Sequence, residues 1–343
     1  MVATGAADSF SSNVVAVDGF AGFVELQDAR LKVSRASDFA TIPVNRYGGT
    51  TGVVNVTGAT SDQSTVAGVH YSARNAIQAF PDGSPGPLLV NVPILNTGQP
   101  QLPRQFKYSL SNPTGGAALG ARTSTRVLIE DPAASVPLPW RQIMLGSVTD
   151  SSPAAFAENA FGSALIGGGV SMSDDGRFIY QPRTGDGVLT AFIDAPLPAQ
   201  ALARFALMIR ASTASNAIMA SAMTFGDTTG SRLVSRAATG ADVTFLPASS
   251  NSQLAPCWLR LTRTGNTFTA ERSTNGTTFI NLATATVALP AAAQWGLFKS
   301  HGFSCRVAAR PGPLEIVAAE PAGYVHDFAD EEQAGHRACL HGF

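Results

Sequence analysis

Glycoside hydrolysis needs two carboxylates held about 5–10 Å apart, and a strand would present such a pair two residues apart on one face. No strand-like run of this chain carries an E-x-D or E-x-x-x-E pattern. Glu271 stands alone beside Arg272 and reads as one half of a cross-strand ion pair. Nucleophilic catalysis needs a base beside its nucleophile, yet neither His70 nor His301 lies in a recognisable motif with a serine or cysteine. Gly167-Gly168-Gly169 lacks the Lys-Ser/Thr of a phosphate loop and reads as a tight loop, as Asp174-Asp175-Gly176 reads as a turn. His336, Cys339 and His341, with His326, could offer zinc ligands, but the paired spacings of a structural site are missing, so this segment reads as a mobile or partner-docking tail. The residues predict no catalytic set, no cofactor and no metal centre.

The residue types left for function suit binding. Arg210, Arg236 and Arg260 are forked donors, Trp258 has an aromatic face and Glu271 is an acceptor, and these five are the candidate ligand contacts. The competing reading buries the arginines against backbone or carboxylate and packs Trp258 and Trp295 in a core. Trp140 reads as a pin between domains.

The whole composition points the same way. Of 343 residues 14% are charged and 45% hydrophobic, with 33 Gly and 21 Pro, and the net charge of −1 gives no electrostatic footprint for nucleic acid. Of the 23 basic residues three are lysine (Lys32, Lys107, Lys299), leaving 20 arginines. Cys257, Cys305 and Cys339 form no disulfide framework. No run approaches the roughly 20 apolar residues of a membrane span. Residues 1–10 lack the basic start and apolar centre of a signal peptide, which fits a virion component released by lysis, or a secreted chain already processed.

The elements that must position these residues are short strands between Gly, Pro, Asn and Asp breaks. Seven runs, Leu31–Ser34, Ala40–Asn45, Gly52–Thr57, Asn75–Phe80, Leu88–Leu95, Arg104–Leu110 and Thr125–Glu130, predict one sandwich. Residues 1–30 read as an N-terminal arm or a weakly specified first strand. Residues 132–139 (PAASVPLP) read as an extended, semi-rigid linker. Residues 140–318 carry a second set: Phe178–Gln181, Gly187–Ile193, Arg204–Arg210, Leu233–Ser235, Val243–Leu246, Cys257–Arg263, Thr267–Ser273 and Gln294–Lys299. Within it Trp258, Arg260 and Thr262 face one way and Leu259, Leu261 and Arg263 the other, with a hairpin turn at 264–266. A helical turn is expected only near Pro198–Phe205. Residues 319–343 form a tail. The fold class is all-β, two tandem β-sandwich domains.

Residues 31–131 resemble the Calx-β domain, an immunoglobulin-like sandwich. The resemblance rests on Leu31-Lys-Val-Ser34, Ala40-Thr-Ile-Pro-Val-Asn-Arg-Tyr-Gly-Gly49, Gly52-Val-Val-Asn-Val56, the run from Ser61 to Tyr71, the run from Phe106 to Ala117, and Val127-Leu-Ile-Glu-Asp131. It implies calcium binding, but its ligand positions here hold Arg35 and His70, with only Glu130 and Asp131 acidic, so no strong calcium site is expected. Residues 140–317 look like a concanavalin/laminin-G-like jelly roll, through Phe178-Ile-Tyr-Gln181, Ala206-Leu-Met-Ile-Arg210, Pro256–Phe268, Ser273–Phe279 and Trp295-Gly-Leu297. That resemblance implies carbohydrate or protein binding. Together they lead to the expectation of a non-enzymatic structural or adhesive protein on a virion surface (decoration, fibre or tail-associated) or outside a cell. A secreted or cell-surface bacterial adhesin or lectin is the alternative, and a glycan-active hydrolase the alternative of another class. Expected partners are capsid or surface-layer proteins, a cell-surface glycan and a second copy of the chain, with no nucleic acid and no membrane insertion.

Overall fold

The computed structural model describes residues 19–149, 151–165, 167–194, 203–226, 229–247 and 255–300, and the backbone of two short strands at 307–308 and 316–318. Every regular element among the described residues is a β-strand, and the protein is all-β. No helix is long and apolar enough to cross a membrane among those residues.

The first sandwich stacks a four-stranded sheet on a five-stranded one. The four-stranded sheet runs Leu88–Pro93, Phe39–Tyr47, Phe23–Leu26, Ala118–Leu119; the other runs Arg30–Ser34, Ser124–Glu130, Arg104–Ser111, Val54–Asp62, Asn75–Phe80. Alternation decides the faces: in Phe39–Tyr47, Ala40, Ile42, Val44 and Arg46 point inward while Phe39, Thr41 and Tyr47 do not. Tyr71 stacks on Phe106 at 4.4 Å in the core. Of the two readings of residues 1–30, arm or first strand, the strand holds at the described end: Phe23–Leu26 pairs with both Phe39–Tyr47 and Ala118–Leu119, because Ala21, Val24 and Leu26 are apolar enough to enter the core.

The second sandwich stacks two eight-stranded sheets. One contains Arg141–Leu145, Asp174–Thr184, Ala292–Ser300, Arg204–Arg210, Met219–Phe225, Ser231–Arg236 and Thr244–Leu246, with Gly169–Val170 beside Asp174–Thr184. The other contains Ala155–Ala157, Ala160–Gly162, Val307–Ala308, Gly187–Ile193, Cys257–Thr264, Thr267–Ser273 and Ile280–Thr286, with Ile316–Ala318 beside Gly187–Ile193. Leu189, Leu259, Leu261 and Phe268 of the second meet Phe205, Leu207, Leu233 and Trp295 of the first between the sheets. Trp140 lies in this core, 5.2 Å from Phe161, and so does not pin the domains together. The first sheet is apolar on its outer face too, where Phe178, Met208, Met219, Met223, Val234 and Phe298 pack with Val243 and Phe245.

The linker also differs from expectation. Residues 132–139 are not extended: Ala134 N–H donates to Asp131 O and Trp140 N–H donates to Pro137 O, closing two turns. Ala134, Leu102, Ala155, Ala157 and Ala160 form a small apolar cluster joining the two sandwiches. Around it Arg104 Nη2 donates to both carboxylate oxygens of Glu158, at 2.7 and 2.9 Å, and the Lys32 ammonium donates to Ser151 O at 2.8 Å. The expected helical turn lies mostly outside the described residues, and its end, Arg204-Phe205, is strand.

Candidate functional site

The five candidate contacts do not share one surface. Arg210 and Arg236 point from adjacent positions of the first sheet (both pair with Met219) onto its outer face, whereas Trp258, Arg260 and Glu271 lie on the outer face of the other sheet. The strands' alternation settles this, since Arg210 is in phase with Met208, while Arg260 is out of phase with the core residues Leu259 and Leu261.

Arg210 and Arg236 are closed off. Both are 0% exposed, and both hold Asp174, itself 0% exposed: Arg210 Nη1 lies 3.1 Å from Oδ2 and Arg236 Nη1 donates to Oδ2 at 3.2 Å. Two guanidiniums and one carboxylate leave a net buried charge of one unit, which backbone carbonyls solvate. Arg210 Nε donates to Ser212 O at 2.9 Å and Nη2 to Ala214 O. Arg236 donates to Ala217 O at 2.8 Å, Ser171 O at 2.6 Å and Ala241 O at 3.2 Å. Burial pulls the Arg210 pKa down to about 10, with the Asp174 carboxylate opposing, so it stays charged at neutral pH. The triad therefore ties three loops over an apolar sheet face. Asp174 is the residue that sequence reasoning misplaced: Asp174-Asp175-Gly176 opens a strand rather than a turn, because Asp174 has two buried arginines to satisfy.

On the other sheet Arg260 and Glu271 are register partners. Arg260 Nε and Nη2 donate to the two carboxylate oxygens at 2.6 and 2.7 Å, and the guanidinium lies 3.9 Å from the centroid of the Phe279 ring. Both groups are thus occupied by each other, as the lone-carboxylate reading expects. Trp258 is half-buried beside Phe192, at 5.4 Å, and Gly276 lies against its ring: a Cβ there would come within 2.7 Å of the indole. A glycine at φ +75° is required at that position both for the turn and for the contact. Next to the ion pair the sheet turns hydroxylic: Thr262, Thr269 and Thr284 align across three strands, with Thr264, Thr267 and Thr286 in the next row.

At the end of the first sandwich next to the joint, Arg35 and Asp131 line a cavity of about 300 Å³ with Asn96, Gln99 and Pro100. Arg35 is 3% exposed and donates to Asp131 Oδ2 at 2.9 Å, to Thr97 Oγ1 at 2.6 Å and to Gln99 O. The other two calcium-type positions are elsewhere. His70 Nδ1 accepts from Val66 N–H at 2.8 Å, and burial, then Arg104, lowers its pKa. Glu130 is half-buried with Oε1 lacking a partner, and burial raises its pKa, Lys32 opposing. Calcium takes six to eight oxygens, mostly carboxylate and carbonyl; here one carboxylate faces the cavity, and a guanidinium already engages it. The residues do not fit the ion.

Cys257 is buried, and burial raises its thiol pKa. His301, Cys305, His326, His336, Cys339 and His341 lie outside the described residues.

These features define a tandem β-sandwich protein in which Asp131, Glu158, Asp174 and Glu271 are each tied to an arginine. Its first unit matches the Calx-beta domain family over residues 18–133. Among solved structures, the apo form of the Calx CBD1 domain is 20% identical, covering 32% of this chain and 95% of that one, with a TM-score of 0.30. CBD12 from CALX1.2 is 12% identical over 74% of this chain and 83% of that one, with a TM-score of 0.31. The Bacteroides ovatus xyloglucan PUL GH43B is 14% identical over 84% and 66%, with a TM-score of 0.34. No curated protein is significantly similar to the chain.

Proposed function

We propose that the chain is a non-catalytic structural and adhesive module, exposed on a virion or outside a cell, that offers the outer face of its second sandwich to a neutral glycan or a protein. The observation that carries the reading is the state of the carboxylates. Asp174, Glu271, Asp131 and Glu158 each sit in an ion pair with arginine, a state that suits holding shape rather than exchanging protons with a substrate. The face around Trp258 combines a partly exposed aromatic edge with an uncharged row of threonine hydroxyls, a pairing of apolar and hydrogen-bonding groups suited to sugar rings.

Glycan-array binding by the purified chain tests it. Binding to neutral glycans that Trp258→Ala reduces at least tenfold is the expected outcome. Release of reducing sugar that Glu271→Gln abolishes would instead identify a hydrolase and refute the proposal.

A further inference from the structure

We infer that the Arg35 guanidinium stands permanently where a Calx-β domain would need a bound cation, and that it thereby fixes the joint between the two sandwiches in one calcium-independent state. The argument begins with the acceptors. Asp131 Oδ2, Thr97 Oγ1 and Gln99 O come from two separate segments and converge on one positive group. A carboxylate, a hydroxyl and a carbonyl that converge on one point call for donors there, and a guanidinium tethered to the Arg30–Ser34 strand's exit supplies the donors and the positive charge without a binding step. Arg35 is anchored in turn, its N–H donating to Glu130 O at 2.8 Å.

The same carboxylate reaches the domain joint. Asp131 Oδ2 also accepts from Gln101 N–H, and Oδ1 accepts from Ala133 N–H, both at 2.9 Å. Gln101 precedes Leu102 of the first sandwich and Ala133 precedes Ala134 of the linker, the two residues that meet Ala155, Ala157 and Ala160 of the second sandwich in the apolar cluster. Arg35 therefore orients Asp131, and Asp131 orients both segments that receive the second sandwich. A metal in this position would make the joint respond to calcium concentration; a covalently attached cation removes that dependence.

Thermal unfolding and small-angle scattering of the full chain, in calcium and in EGTA, test the inference. The parent should give the same unfolding temperature and scattering profile in both. Arg35→Ala should unfold several degrees lower and show a broader distribution of inter-sandwich distances. Arg35→Lys, which keeps the charge but not the fork, should fall between them. An unfolding temperature of the parent that rises with calcium would overturn the inference, as would an Arg35→Ala protein with the parent's profile in both measurements. Should Arg35→Ala not fold, the parent's calcium response and Arg35→Lys still decide the matter.

Discussion

Replacing Asp174 by alanine isolates the energetics of the buried triad. The substitution removes a carboxylate that is 0% exposed and leaves two guanidiniums, also 0% exposed, facing each other without a counter-charge. Breaking a buried pair in this way costs about 3–5 kcal/mol. The carbonyls of Ser171, Ser212, Ala214, Ala217 and Ala241 still accept from the two arginines, so the loss should lie near the middle of that range, about 4 kcal/mol. Arg210→Met is the informative control. It deletes a larger side chain yet leaves Asp174 and Arg236 as a balanced pair, so it should cost less than Asp174→Ala. Urea unfolding followed by tryptophan fluorescence reads the second sandwich, since Trp140 and Trp295 lie in its core; the midpoint should move while the slope stays constant. An Asp174→Ala protein within about 1 kcal/mol of the parent, or one more stable than Arg210→Met, would show that the carbonyls alone hold the arginines and that the ion pairs are incidental.

Three other perturbations have equally definite outcomes. Arg260 and Glu271 form a partly exposed pair, so a double-mutant cycle to alanine should return a coupling of only about 0.5–1 kcal/mol; a value several times larger would mean that the pair is desolvated in solution. Burial raises the Glu130 pKa above its ordinary value, so its contribution to stability is fully present below the unfolded pKa and is lost as pH rises through the folded one. Glu130→Gln should therefore match the parent in acid and become the more stable protein near neutral pH, and a pH-independent difference in urea midpoints would contradict this. A Cβ on Gly58 would lie 1.7 Å from the Tyr108 hydroxyl, and Tyr108 is fully buried, so Gly58→Ala should cost about 1–3 kcal/mol in the first sandwich's unfolding transition; parent-like stability would show that the ring swings clear.

What could be read from the sequence followed from the period of burial. Gly187–Ile193 alternates buried and half-buried positions along its whole length, and its bounds are legible from the residues alone. Met219–Phe225 is buried at every position because both faces of its sheet are covered; Met-Ala-Ser-Ala-Met-Thr-Phe has no alternation to detect, and this strand escapes sequence reasoning. The site failed for a related reason. Arg210, Arg236 and Arg260 look alike as residues, but the sheets that the strands of Arg210 and Arg260 join are set by distant pairings, Arg210 with Gln294 and Arg260 with Thr190, and the loop carbonyls that satisfy two of the three carry no side-chain signature. Arg35 was legible as a departure from the Calx-β pattern, whereas Thr97 and Gln99, its acceptors, were not, because one is a common loop hydroxyl and the other acts through its backbone. Phe23–Leu26 was obscured by the glycines and serines around it, which dilute the apolar signal of a four-residue strand.

Arginine closes loops onto carbonyl oxygens throughout both sandwiches. Besides Arg35, Arg210 and Arg236, Arg46 donates to Ala21, Thr51 and Gly52 O, and Arg263 donates to Gly265 and Leu289 O. Free guanidinium ion is the same planar donor cut from its side chain, and in concentrated solution it competes for those oxygens directly. Guanidinium chloride below its unfolding midpoint is therefore expected to speed amide exchange in the loops these arginines close before it does so in the strands, and equal rates in loops and strands would show that the carbonyls are not contested.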